Sequence, residues 1–105
     1  MIYGLEYHPA VYDDLNKLDN SQRLQVRKAI NKVWENPLPK NEGGYGEALG
    51  NKHGKNLTGC YKIKLLKLGV RIVYKIIREG NIMRIIVIAA RADDEVYKMA
   101  NNRNC

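Results

Sequence analysis

The chain has no phenylalanine and a single tryptophan, Trp34. Seven tyrosines are left to do the aromatic packing, so a hydroxyl must be accommodated wherever a ring is buried. Cysteine is scarce. Cys60 and Cys105 make no disulfide framework, and free thiols in a reducing, cytoplasmic setting are expected. No run of eighteen apolar residues occurs, which excludes a membrane-spanning helix, and no membrane partner is expected. The segment from Met1 to Glu6 lacks the basic and apolar stretches of a signal peptide. The two histidines, His8 and His53, have no partner at metal-ligand spacing, so no metal or other cofactor is expected. The acids of Asp13-Asp14 and Asp93-Asp94-Glu95 read as helix-start or surface charges.

Acid is also missing locally. Eighteen Lys+Arg against eleven Asp+Glu give a net charge of +7. Between Asn51 and Arg78 there is no Asp or Glu, while Lys52, Lys55, Lys62, Lys64, Lys67, Arg71, Lys75 and Arg78 all fall there. A patch of that sign favours polyanions, nucleic acid among them. With 105 residues, the chain is long enough for one domain and one core.

Residues Ile2 to Tyr7 are β-prone. His8-Pro9 opens a helix in which Val11, Leu15 and Leu18 share a face. Asp19 and Gln22 have the spacing of a capping box. The helix that follows carries Val26, Ile30, Val33 and Trp34 on one side and stops at Asn36-Pro37. Trp34 is expected to be mostly buried between the helical hairpin and a sheet. Residues 38–59 hold Pro39 and six glycines and read as a basic connector. Gly50, Gly54 and Lys55 miss the spacing of a phosphate loop. Three β-branched runs follow, Cys60 to Leu65, Val70 to Ile77 and Ile82 to Ala90, joined by short turns. A short acidic-start helix ends the chain. The predicted order is β-α-α-β-β-β-α, an α+β domain over residues 1–105 with an antiparallel sheet packed by one face on an N-terminal helical hairpin.

Strand alternation places Tyr61, Ile63 and Leu65 toward the helices and Lys62 and Lys64 on the opposite, open face. A four-residue turn puts Lys64 opposite Arg71 and Lys62 opposite Val73. Like charges in register destabilise a hairpin, and this face shows no carboxylate of its own to relieve them. Such cations can simply solvate an exposed sheet, or they can hold an anion such as a phosphodiester. Two of them about 6 Å apart repel by roughly 3 kcal/mol, or two pKa units, at an effective dielectric near 20. A crowded lysine can therefore lose its proton near neutrality, whereas Arg71 stays charged and suits a phosphate. Arg91 and Tyr97 read equally as structural residues, a strand-end cap and a core cover.

Cys60 to Leu65, Gly69 to Tyr74 and Arg91 to Tyr97, taken in order, resemble the RelE-type toxins of bacterial type II toxin–antitoxin modules. The resemblance spans nearly the whole chain and departs from the family's shorter members in the longer Gly-rich segment. It implies a metal-free endoribonuclease that enters the ribosomal A site and cuts mRNA by attack of a ribose 2′-OH on the adjacent phosphate. The matching catalytic positions are Lys62, Lys64, Arg71, Arg91 and Tyr97. One lysine would be the base and the other its electrostatic partner. Arg71 would stabilise the phosphorane, Arg91 would act as the acid or stabilise the leaving group, and Tyr97 would stack on or orient the nucleotide. Lys52, Lys55, Lys67 and Lys75 would bind RNA. The resemblance further implies a cognate antitoxin that covers Lys62 and Lys64 or displaces the last helix, with operator DNA contacted only through it. A ParE-like gyrase inhibitor and a non-catalytic RNA-binding module are the alternatives.

Overall fold

The computed structural model describes residues 2–52 and 55–105, and the side chains of residues 51–55 lie outside that description. The expected His53 and Gly54 therefore fall outside the described residues. The elements run β1 (Gly4–Tyr7), α1 (Val11–Asn16), α2 (Asn20–Trp34), β2 (Glu47–Lys52), β3 (Lys55–Leu65), β4 (Val70–Ile77), β5 (Ile82–Ala89) and α3 (Asp93–Asn102). The five strands form one sheet in the order β1-β5-β4-β3-β2. β1 pairs with β5 in parallel, and the other neighbours are antiparallel.

Local chemistry accounts for the helical hairpin. The Gln22 amide donates to Asp19 Oδ1 at 2.7 Å and the Asp19 amide donates to Gln22 Oε1 at 2.9 Å, the reciprocal bonds of a capping box. Val26, Ile30 and Val33 face the sheet and are buried. The first helix is shorter than expected. It begins at Val11, because His8 Nδ1 accepts from the Ala10 amide and the Val11 amide donates to the His8 carbonyl, making Pro9 part of a turn.

The Gly-rich segment is not a plain connector. A 3-10 turn at Lys40–Glu42 leads into β2, which extends the sheet as its outer strand. Some of its glycines serve packing. A Cβ at Gly46 would lie 2.5 Å from the Tyr74 hydroxyl, which donates to the Pro37 carbonyl at 2.8 Å. The buried tyrosine thereby satisfies its polar atom, and burial pushes its pKa up.

Both faces of the sheet carry a core, where one was expected. On one face Val11, Leu18, Val26 and Ile30 pack against Ile72, Tyr74 and Ile85. On the other, Val96, Tyr97 and Ala100 of α3 pack against Val73, Val87 and Leu57. A bulge between Val73 and Tyr74 leaves Ile86 as the extra residue, and it joins the α3 side. The last helix therefore covers much of the face read as open. Trp34 is partly buried instead of enclosed. Its indole Nε1 donates to the Tyr3 carbonyl at 2.6 Å, beside β1 at the edge of the sheet.

Two further expectations are corrected. Cys60 and Cys105 are joined as a disulfide, with Cα atoms 6.0 Å apart, because α3 returns the end of the chain to β3. Asp14 is not a surface acid. It is 3% exposed and accepts from Arg103 Nη1 and Nη2 at 2.7 and 3.1 Å and from the Ile88 amide at 3.0 Å.

Candidate functional site

The β3–β4 hairpin builds the site. Its register pairs Lys62 with Val73, Lys64 with Arg71 and Leu65 with Val70, as the turn length implied. Tyr61, Ile63 and Leu65 pack toward the helical hairpin, so Lys62 and Lys64 lie on the α3 face with Arg71. Gly69 closes the turn at φ 67°, in the left-handed region that glycine enters without strain.

The cations on this face are not left to repel one another. Lys64 Nζ donates to Asp93 Oδ2 at 2.9 Å, and Arg71 Nε donates to Asp93 Oδ1 at 2.7 Å. Arg71 Nη1 also donates to the carbonyls of Gly69 and Arg91, at 3.2 and 3.1 Å. The carboxylate missing from residues 51–78 arrives from the first turn of α3. Other cations of that stretch are paired as well: Lys62 Nζ lies 4.0 Å from Glu47 Oε2, and Arg78 holds both Glu42 oxygens.

This pairing reverses the expected titration of Lys64. Its hydrogen bond to Asp93 raises the lysine pKa, with the Asp93 and Tyr97 charges adding to the effect and burial and Arg71 opposing it. Reciprocally, the Lys64 hydrogen bond is the main cause that lowers the Asp93 pKa. Repulsion from Arg71 is real but is outweighed by the carboxylate between them. Lys64 is thus fully protonated near neutrality while Asp93 stays in place.

Arg91 and Tyr97 are brought close to this cluster in different ways. The Arg91 carbonyl accepts from Arg71, while its guanidinium reaches Glu95 at 3.6 Å and is well exposed. Tyr97 lies on the inner face of α3 and is 2% exposed, so its ring is covered by the sheet and offers no open stacking surface. Helical spacing from Val96 to Ala100 turns that side inward.

No family model matches the chain. The mRNA interferase toxin RelE of Escherichia coli K12 is 31% identical over 103 residues, covering 98% of both chains. The chain belongs to the RelE toxin family. A mutant E. coli RelE solved in the free state superposes with a TM-score of 0.74 at 28% identity over the full length of both chains. The same mutant in complex with an antitoxin peptide, RelBc, gives 0.71 at 29% identity over 95% of each.

Of the lysines expected to bind RNA, Lys67 and Lys75 lie apart from each other. Lys67 is exposed in the β3–β4 turn, and with Lys64 it lines a surface hollow that also includes Ser21 and Gln25. Lys75 is half-buried and donates to the Asn104 carbonyl at 3.4 Å, beneath the end of the chain. The side chains of Lys52 and Lys55 lie outside the described residues. Asp93 is the site residue that sequence reasoning missed. Its helix-start position explains an acid there equally well, and only the fold of α3 over β3 and β4 shows what it touches.

Proposed function

We propose that this RelE-family toxin is a ribosome-dependent endoribonuclease that cuts mRNA in the A site without a metal ion. The observation that carries the reading is the cross-strand pair Lys64 and Arg71, with Lys62 two residues along the same face. That arrangement suits a phosphodiester, and the E. coli relative is named an mRNA interferase toxin. Among the described residues no group of three His, Cys, Asp or Glu is gathered as for a metal ion.

In this reading the ribose 2′ oxygen forms a bond to the adjacent phosphorus, and the bond from phosphorus to the 5′ oxygen breaks. The products are a 2′,3′-cyclic phosphate and a 5′-hydroxyl end. Lys62 accepts the 2′-hydroxyl proton, since Lys64 and Arg71, directly opposite each other, together hold the anion. Lys64 and Arg71 hold the non-bridging oxygens as negative charge grows on them. A guanidinium is a poor general acid, so Arg91 stabilises the leaving oxygen as a hydrogen-bond donor and water supplies the proton. Tyr97 does not stack, since its ring is covered, and helps to orient the nucleotide from beneath through its hydroxyl. The ribosome contributes alignment, holding the message in line for an otherwise weak base. Lys52, Lys55, Lys67 and Lys75 guide the strand. The toxin acts in the cytoplasm and is neutralised by a cognate antitoxin that is acidic and apolar, through which alone it reaches operator DNA.

The test replaces Lys62, Lys64 and Arg71 together by alanine and follows growth, translation and message integrity beside the wild type. The variant is expected to be harmless and to leave ribosome-bound message whole. Arg71→Ala alone is expected to lower cleavage about a hundredfold. A triple variant that stays toxic, with DNA breaks and intact message, would overturn the nuclease reading in favour of a gyrase target.

A further inference from the structure

We infer that the Asp93 carboxylate occupies the phosphodiester seat on Lys64 and Arg71, and that RNA enters by displacing it. The inference rests on the nuclease reading for the identity of the anion. Three observations support it.

The first is stereochemical. The two carboxylate oxygens are divided between two cations, Oδ2 on Lys64 at 2.9 Å and Oδ1 on Arg71 at 2.7 Å. Two non-bridging oxygens of a phosphodiester present the same pair of acceptors with the same single negative charge. A carboxylate seated this way is an internal analogue of the substrate group.

The second concerns where Asp93 sits. It is the first residue of α3 and follows the exposed residues 90–92, while the anchors of the helix, Val96, Tyr97 and Ala100, lie further along. The Asp93 side chain is one third exposed. Its carboxylate can swing toward solvent without unpacking those anchors, so displacement costs two charge-assisted contacts and not the second core.

The third is selectivity. A tethered carboxylate competes at an effective concentration on the order of millimolar or above, so it defeats small anions that bind weakly. A single strand brings further phosphates along the cationic face, where Lys62 stands two residues from Lys64, and gains counterion release that a lone phosphate lacks. Asp93 therefore sets a threshold that polymeric substrate passes and phosphate or a mononucleotide does not. It acts as a specificity residue for RNA, through occupancy of the seat and not through chemistry.

The experiment measures binding of a short single-stranded 2′-deoxy oligonucleotide, which lacks the attacking hydroxyl, and of inorganic phosphate, at one fixed salt concentration. The proteins are the full chain, Asp93→Asn and Asp94→Asn. Asp94 is the exposed neighbour, so its replacement changes net charge equally. Asp93→Asn is expected to bind the oligonucleotide about tenfold more tightly than wild type, and Asp94→Asn within about twofold of it. Inorganic phosphate is expected to bind Asp93→Asn measurably and wild type not. Asp93→Ser, which keeps a good helix-start residue, repeats the measurement, and thermal melting verifies folding of each variant. Equal tightening by Asp93→Asn and Asp94→Asn would overturn the inference, since charge alone would then explain it. Cleavage of ribosome-bound message by wild type is scored separately. Wild-type cleavage together with no tightening in Asp93→Asn overturns the seat and leaves the nuclease reading standing. Tightening without any wild-type cleavage supports the seat and overturns the nuclease reading.

Discussion

Arg103, just beyond α3, donates from both Nη atoms to Asp14 of α1, closing the two ends of the fold across 89 residues. The pair is asymmetric: the Asp14 side chain is 3% exposed and the Arg103 side chain 17%. Removing the arginine strands a carboxylate that water does not reach. Removing the acid leaves a guanidinium that still donates to the Ile86 carbonyl at 2.9 Å and touches solvent. Arg103→Met is therefore expected to cost about 3–5 kcal/mol, and Asp14→Asn less. Urea denaturation of both variants checks the order, and the reverse order would show that the acid is not the stranded partner.

Trp34 combines partial burial with one hydrogen bond. Trp34→Phe keeps most of the ring and loses the bond to the Tyr3 carbonyl, so about 1 kcal/mol of stability is expected to go. Trp34→Ala also removes packing against the helical-hairpin core and is expected to cost about 3 kcal/mol. Equal losses in the two variants would place the whole effect in the hydrogen bond.

The contact between Asp93 and Lys64 has a defined pH window. The folded pKa of Asp93 lies below its ordinary value of 3.8, chiefly through the Lys64 hydrogen bond. Its contribution is present above that value and is lost as pH falls through the folded pKa. Lys64 is raised above 10.5, so its share is complete below that value and is lost as pH rises through the folded pKa. The tie is thus intact across the neutral range and fails only at the acid and alkaline ends. Carboxyl-carbon NMR of Asp93 is expected to show a midpoint that moves up in Lys64→Ala. An unmoved midpoint would mean that another group depresses the acid.

The disulfide holds the end of the chain to β3 across 45 residues. Chain-entropy arguments give such a loop roughly 4 kcal/mol at most. Reduction, or Cys105→Ser, is expected to lower stability by roughly 2–4 kcal/mol and to speed amide exchange in α3 more than in α2. Exchange that rises equally in both helices would show that the bond supports the whole domain and does not specifically fasten α3.

What the sequence determines here is local. Period-two alternation in Tyr61 to Leu65 and the length of the Leu66 to Gly69 turn were enough to place Lys64 opposite Arg71 and to choose their face, because side-chain direction and register follow from neighbouring residues. Asp19 and Gln22 announced their capping box for the same reason. The strand β2 was hidden. Its Glu47–Lys52 composition has little strand preference, and pairing with β3 imposes the conformation. Tertiary structure alone decided that α3 folds back over the sheet. That one return brings Asp93 to Lys64 and Arg71, Arg103 to Asp14, and Cys105 to Cys60. Each contact joins residues at least 22 apart in the chain, and the burial of Val96, Tyr97 and Ala100 holds them together. A helix-start acid, an arginine just past a helix and a terminal cysteine look ordinary along the chain, since their partners are set by which face of the sheet remains uncovered when the helical hairpin has taken the other.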